Sequence, residues 1–229
     1  MTELKKLHVN NIDISYEEAG EGRPMVLIHG NGEDHTIFDR TVKILEKKFT
    51  CYLPDSRGHG KSHWIGELHY RDMAEDLVQF LEKLNLHNVV VVGFSDGGII
   101  GLIAASRTRR ISSLIACGAN TRPEGLHGLF LLGSRLLHFF GRSPLIRLMI
   151  KEPDIRDQEL RQIRADTLIV AGEHDLIRKS ETDHIAAEIP GAAKLILRGE
   201  SHGSYIVHSE KLADIILRFL NKRKVVNES

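Results

Sequence analysis

At 229 residues the chain suits one large domain, which buries about 70% of its unfolded surface and needs no metal or disulfide staple. Lysine plus arginine and aspartate plus glutamate stand at 31 each. That balance excludes the broad attraction to phosphate of nucleic-acid binders and speaks against a polybasic membrane surface, so neither nucleic acid nor membrane is expected as a partner.

The pattern along the chain alternates strand and helix. Leu7–Val9 and Ile12–Tyr16 read as a hairpin around Asn10-Asn11, a pair that tolerates positive φ. Met25–Ile28 is a short apolar strand that runs into the loop His29-Gly30-Asn31-Gly32. Phe38, Val42, Leu45 and Phe49 recur at helical spacing, and Thr50–Leu53 forms the next strand before Pro54 and the polar loop Asp55–Ser62. Tyr70, Met73, Leu77, Leu81 and Leu84 mark a second helix. The four valines Val89–Val92 predict a strand buried on both faces, the mark of a parallel central sheet.

After Gly93–Gly98 comes a small-residue helix, Ile99 to Ser106, and then the strand Ile111–Ala116. From Asn120 to Arg164 the strand rhythm stops, and two or three short apolar helices are expected. It resumes with Thr167–Ala171, a helix around His184–Glu188, the strand Lys194–Leu197, and a last helix carrying Leu212, Ile215, Ile216, Phe219 and Leu220. The basic run Asn221-Lys222-Arg223-Lys224 reads as a solvated tail after that helix. These elements predict a doubly wound α/β fold with a mostly parallel sheet. Residues 1–119 and 165–229 would form its core, and 120–164 a helical insertion.

Met1 to Asn10 has no apolar core of a secretory signal, and no stretch approaches the ~18 apolar residues of a membrane span. Cys51 and Cys117 sit in apolar surroundings and are expected as buried thiols, which points to a cytoplasmic setting. His59 and His63 have an i, i+4 spacing but lie in a loop rather than on a helix, so neither a metal nor a cofactor is expected. Gly30-x-Gly32 lacks the third glycine of a dinucleotide fingerprint.

The chemistry centres on Gly93-Phe94-Ser95-Asp96-Gly97, a G-x-S-x-G that follows a buried strand and opens a helix. There a strained turn can push the Ser95 hydroxyl out of the sheet as a nucleophile. A base and an orienting acid then follow in the order serine, acid, histidine. Asp175, after the strand Thr167–Ala171, and His202, after the strand Lys194–Leu197, fit those places, with Glu173 as the alternative acid. The backbone N–H groups of Asn31 and Asp96 are the candidate donors to an oxyanion. The Asp96 side chain either sits favourably in the first turn of a helix or recognises a cationic substrate group. Phe130, Phe139 and Phe140 line a substrate pocket in one reading and form the insert's own core in another.

These motifs, with Asp55-x-Arg57-Gly58-His59-Gly60-x-Ser62 and Ser201-His202-Gly203, resemble the α/β-hydrolase fold superfamily over nearly the whole chain. The resemblance implies Ser95 as nucleophile, His202 as base, Asp175 as acid and a cap in the insertion, here about 45 residues and shorter than usual. Serine at the elbow speaks against dehalogenase and epoxide hydrolase chemistry, which use aspartate there. Ser95-Asp96-Gly97-Gly98 is similar to the elbow of hydrolases of small activated esters, including amino-acid esters. The function so implied is a carboxylesterase acting on small-molecule esters. The alternatives are carbon–carbon bond hydrolysis, lyase or perhydrolase chemistry on the same three residues, or a non-catalytic receptor.

Overall fold

The computed structural model describes residues 4–227, with side chains through Asn221. Among the described residues eight strands form one sheet: β1 (Lys5–Val9), β2 (Ile12–Ala19), β3 (Arg23–Ile28), β4 (Phe49–Pro54), β5 (Val89–Phe94), β6 (Ile111–Cys117), β7 (Asp166–His174) and β8 (Ala193–Ser201). Their order is β1-β2-β4-β3-β5-β6-β7-β8. Only the β1–β2 and β2–β4 pairings are antiparallel. Asn10 and Asn11 close the first hairpin with φ of 38° and 60°, the left-handed pair that a two-residue hairpin turn needs.

Alternation along the parallel strands divides the core in two. Val89 and Val91, with Val26, Ile28, Leu114 and Ile169, face one layer of helices. That layer contains α2 (Tyr70–Lys83), α3 (Asp96–Arg107), α6 (Asp157–Gln162) and α7 (Lys179–Glu188). Val90 and Val92, with Met25, Leu27, Ile115 and Val170, face α1 (Asp39–Leu45) and α8 (Lys211–Asn227) on the other side. Two buried faces explain why β5 is apolar at every position instead of every second one. The result is an α/β-hydrolase fold.

The helix expected to run to Phe49 ends at Leu45. Lys48 N–H closes a turn on the Leu45 carbonyl, and Phe49 opens β4, paired with Arg23 of β3. Helical spacing alone could not separate Phe49 from α1, because the chain reverses within three residues. The basic run expected after the last helix lies inside α8 instead, with the side chains of Lys222, Arg223 and Lys224 outside the described ones.

Between β6 and β7 lie α4 (Gly128–Gly141), α5 (Pro144–Lys151) and α6. Leu160 of α6 and the following Ile163 belong to the main core, whereas α4 buries only Leu131 and Ser134. Among the described residues no helix is long and apolar enough to cross a membrane.

The polar loop after β4 is fastened from within. Buried Arg57 donates to Asp76 of α2 at 2.7 Å from Nε and 2.5 Å from Nη2, with Trp64 over the guanidinium at 4.3 Å. Asp55 accepts from the N–H groups of His35 and Lys61 and bonds the His35 ring. Gly60 is required here, since a Cβ would stand 2.3 Å from Asp55 Oδ2 at a φ of +48°.

Candidate active site

β3 neighbours β4 on one side and β5 on the other, which places the loops after β3 and β5 together at the carboxyl ends of the strands. That is the crevice where open α/β sheets bind ligands. The turn from β5 into α3 passes through Ser95 at φ 52° and ψ −114°, a strained conformation for a residue with a side chain. Its flanking glycines have steric reasons. A Cβ on Gly93 would meet the Gly97 carbonyl at 2.1 Å, and one on Gly97 would meet the Ile28 carbonyl at 2.1 Å. The Ser95 N–H is anchored to the Cys117 carbonyl at 2.8 Å, so the elbow leans on both neighbouring strands.

Three side chains from distant parts of the chain meet here. His202 Nε2 lies 3.1 Å from Ser95 Oγ, and His202 Nδ1 lies 2.6 Å from Asp175 Oδ1. An ionised carboxylate only accepts, so the proton of a neutral imidazole sits on Nδ1 and Nε2 is free to accept from the serine. Burial pushes the Asp175 carboxyl up, but the bonds from His202 and from the N–H groups of Ile177 and Gly172 outweigh it, and Asp175 is held below its ordinary value. The arrangement can take a proton from a hydroxyl and stabilise the imidazolium that results. Glu173 is elsewhere: exposed, it accepts from the Gly199 N–H.

The loop after β3 is held against the elbow. His29 is buried, accepts from the Ser56 N–H at Nε2 and donates from Nδ1 to the Gly30 carbonyl. Burial lowers it to about 4, so it stays neutral and works as a splint between the β3 and β4 loops. A Cβ on Gly30 would lie 3.1 Å from that of Ser95. Asp96, as first residue of α3, has an N–H with no intrahelical acceptor.

The Asp96 carboxylate is buried. Oδ1 accepts from the Tyr70 hydroxyl at 2.7 Å and Oδ2 from Asn31 Nδ2 at 2.8 Å. Burial raises it, against the pull of those two bonds. Both oxygens are thus engaged by the protein, which favours the structural reading of this side chain over recognition of a cation. Asn31 Nδ2 also donates to the Leu145 carbonyl of α5.

Some residues of this site carry no motif. Gly118, at φ +59°, packs under the imidazole: a Cβ there would come within 2.7 Å of His202 Cε1 and 2.9 Å of Nδ1. A glycine directly after a strand end was its only signal. Glu33, half-buried, bonds the Gly30 N–H at 2.9 Å and is raised mainly by burial.

Phe139 and Phe140 come out differently from both readings. They are 76% and 83% exposed and stack edge to face on the outer side of α4. Leu131 and Ser134 set the inward face of the helix, and the two phenylalanines fall outside it. Phe130 packs against the small cluster of Leu126, Leu131 and Ile177. His59 is buried, with Nδ1 against the Arg57 carbonyl, while His63 is exposed, so the two do not form a pair of ligands. Both cysteines are buried free thiols, and burial pushes Cys51 up to about 12 and Cys117 higher still.

Known proteins share this fold. The family described as alpha/beta hydrolase fold matches residues 23–152. A serine hydrolase, BPHL, from Homo sapiens is 28% identical, the match covering 94% of this chain and 85% of that protein. A pimeloyl-(acyl-carrier protein) methyl ester esterase from Aeromonas hydrophila is 26% identical over 91% of this chain and all of its own. Among solved structures, a bromoperoxidase from Bacillus anthracis superposes with a TM-score of 0.84 at 23% identity, covering 96% of this chain and 100% of that one. The chain therefore belongs to the alpha/beta hydrolase fold family and is a hydrolase of that fold.

Proposed function

We propose that the protein is a serine carboxylesterase acting on small esters through an acyl-enzyme. The observation that carries this reading is the unbroken line from Ser95 Oγ through His202 to Asp175, at 3.1 and 2.6 Å. Ser95 Oγ attacks the ester carbonyl carbon as His202 Nε2 takes its proton. The N–H groups of Asn31 and Asp96 receive the oxyanion, and Asp175 holds the imidazolium. The carbon–oxygen bond to the alcohol then breaks, and His202 gives its proton to the leaving oxygen. Water attacks the acyl-enzyme, passing one proton to His202, which returns it to Ser95 as the carboxylic acid departs. We place α4 and α5 as a short cap over this site, because Asn31 ties the oxyanion loop to α5. Two free buried thiols fit a cytoplasmic setting.

A fluorophosphonate probe tests the reading directly. One mass adduct on Ser95, absent in Ser95→Ala, is expected; an intact protein without adduct would point to a receptor. A panel of esters graded in acyl length and charge then tests the substrate class. Rates should fall as the acyl chain lengthens, and a flat response would remove the small-ester assignment.

Gly118 offers a separate test of the geometry. Gly118→Ala should displace the imidazole and lower kcat by about 10²-fold, the scale expected for a 1 Å misplacement. KM should stay within a few-fold, while the melting temperature should fall by a few degrees, because alanine is strained at φ +59°. Unchanged kcat in Gly118→Ala would show that His202 is not held by this contact.

A further inference from the structure

The outward face of α4 is apolar without interruption. Leu129, Leu132, Leu136, Leu137, Phe139 and Phe140 are all more than half exposed, from 55% to 88%. At 100° per residue they span a stripe about 160° wide, centred opposite Leu131 and Ser134, the residues the helix buries. A helix that buries two residues and leaves six leucines and phenylalanines outward has an apolar face that its own core does not use.

Charge identifies the partner. The neutral sum over the chain conceals a local asymmetry: residues 126–151 contain Arg135, Arg142, Arg147 and Lys151 and no carboxylate. Arg135 borders the apolar stripe, with only a 3.9 Å contact to Glu124, and Arg142 caps the end of α4 with no ion pair among the described residues. Arg147, by contrast, is held by Glu67. A two-fold pairing of this face with a second copy would set these bordering arginines against each other. An anionic lipid surface answers both features at once, since its acyl boundary takes the leucines and phenylalanines while its headgroups take the arginines.

We propose that α4 is an interfacial helix by which the protein docks on anionic bilayers. This amends the expectation, drawn from overall charge, that no membrane is a partner. The proposal concerns location and stands apart from the chemistry at Ser95. The geometry gives docking a consequence, because α4 continues into α5, whose Leu145 carbonyl is bonded to Asn31. A docked α4 would bring the Ser95 crevice close to the lipid boundary.

Flotation of the full chain with vesicles tests it. Binding to vesicles of phosphatidylcholine with about 30% phosphatidylglycerol should exceed binding to phosphatidylcholine alone by about tenfold or more. About 0.5 M salt should remove most of that difference, because screening then acts within a few Å. The variant Leu129→Ser/Leu132→Ser/Leu136→Ser changes exposed residues only and should keep the wild-type melting temperature while losing binding at least tenfold. Arg135→Glu/Arg142→Glu should lose the preference for the anionic vesicles. Failure of the wild type to bind either vesicle, equal binding to both, or undiminished binding of the serine variant would overturn the proposal. So would a wild-type dimer in sedimentation that the serine variant converts to monomer, which would make this face a self-association surface.

Discussion

Ser95→Ala should lower kcat for ester hydrolysis by about 10⁴–10⁶-fold while leaving the fold and the substrate KM nearly unchanged. The side chain contributes little to packing, because it stands on a turn held by backbone, with its N–H on the Cys117 carbonyl and glycines on either side. Alanine also relieves none of the strain, since Ser95 keeps φ 52° for any residue with a Cβ. What disappears is the oxygen that lies 3.1 Å from His202 Nε2, and with it the proposed covalent step. A residual rate above water should persist from the N–H groups of Asn31 and Asp96. Steady-state kinetics with a chromogenic ester checks this. Activity within tenfold of wild type would place the nucleophile elsewhere.

Asp175→Asn should cost about 10⁴-fold in kcat without moving any backbone. Both carboxylate oxygens already have donors. Oδ1 receives His202 Nδ1 and the Ile177 N–H, and Oδ2 receives the Gly172 N–H. An amide cannot satisfy that set. With its oxygen at the Oδ1 place, its NH₂ faces the Gly172 N–H. With the NH₂ at the Oδ1 place, it meets the Ile177 N–H and drives the imidazole to the tautomer whose Nε2 carries a proton. In that tautomer His202 can no longer accept from Ser95. The loss should therefore appear in kcat and in the rate of fluorophosphonate labelling alike. A variant that labels at the wild-type rate would show that Asp175 does not set the tautomer. Asp175→Asn should also lower stability, because one N–H is left facing a donor in a buried place.

The strands and the candidate site residues are largely legible before the fold. Val89–Val92 announced a doubly covered strand, and Ser95, Asp175 and His202 each follow a strand end. Local pattern carried those readings, because alternation, apolar runs and strained turns leave their mark within a few neighbouring residues. Phe49 was misassigned for the same reason: its spacing from Leu45 suits a helix, and only the turn at Lys48 and the pairing with Arg23 assign it to β4. Gly118 was silent, because what excludes a side chain there is a ring 84 residues further along, at His202.

The balance of 31 positive and 31 negative residues excluded a uniformly charged surface, and the sequence by itself determined the alternation of apolar strands and helices and singled out Ser95, Asp175 and His202 as candidates. The tertiary structure decided the rest. It brought Ser95 within 3.1 Å of a histidine 107 residues away, turned the Asp96 carboxylate onto Tyr70 and Asn31, and left the leucines of α4 facing outward. Sequence periodicity records which side of an element is apolar. Which neighbour that side meets depends on contacts made across the whole chain.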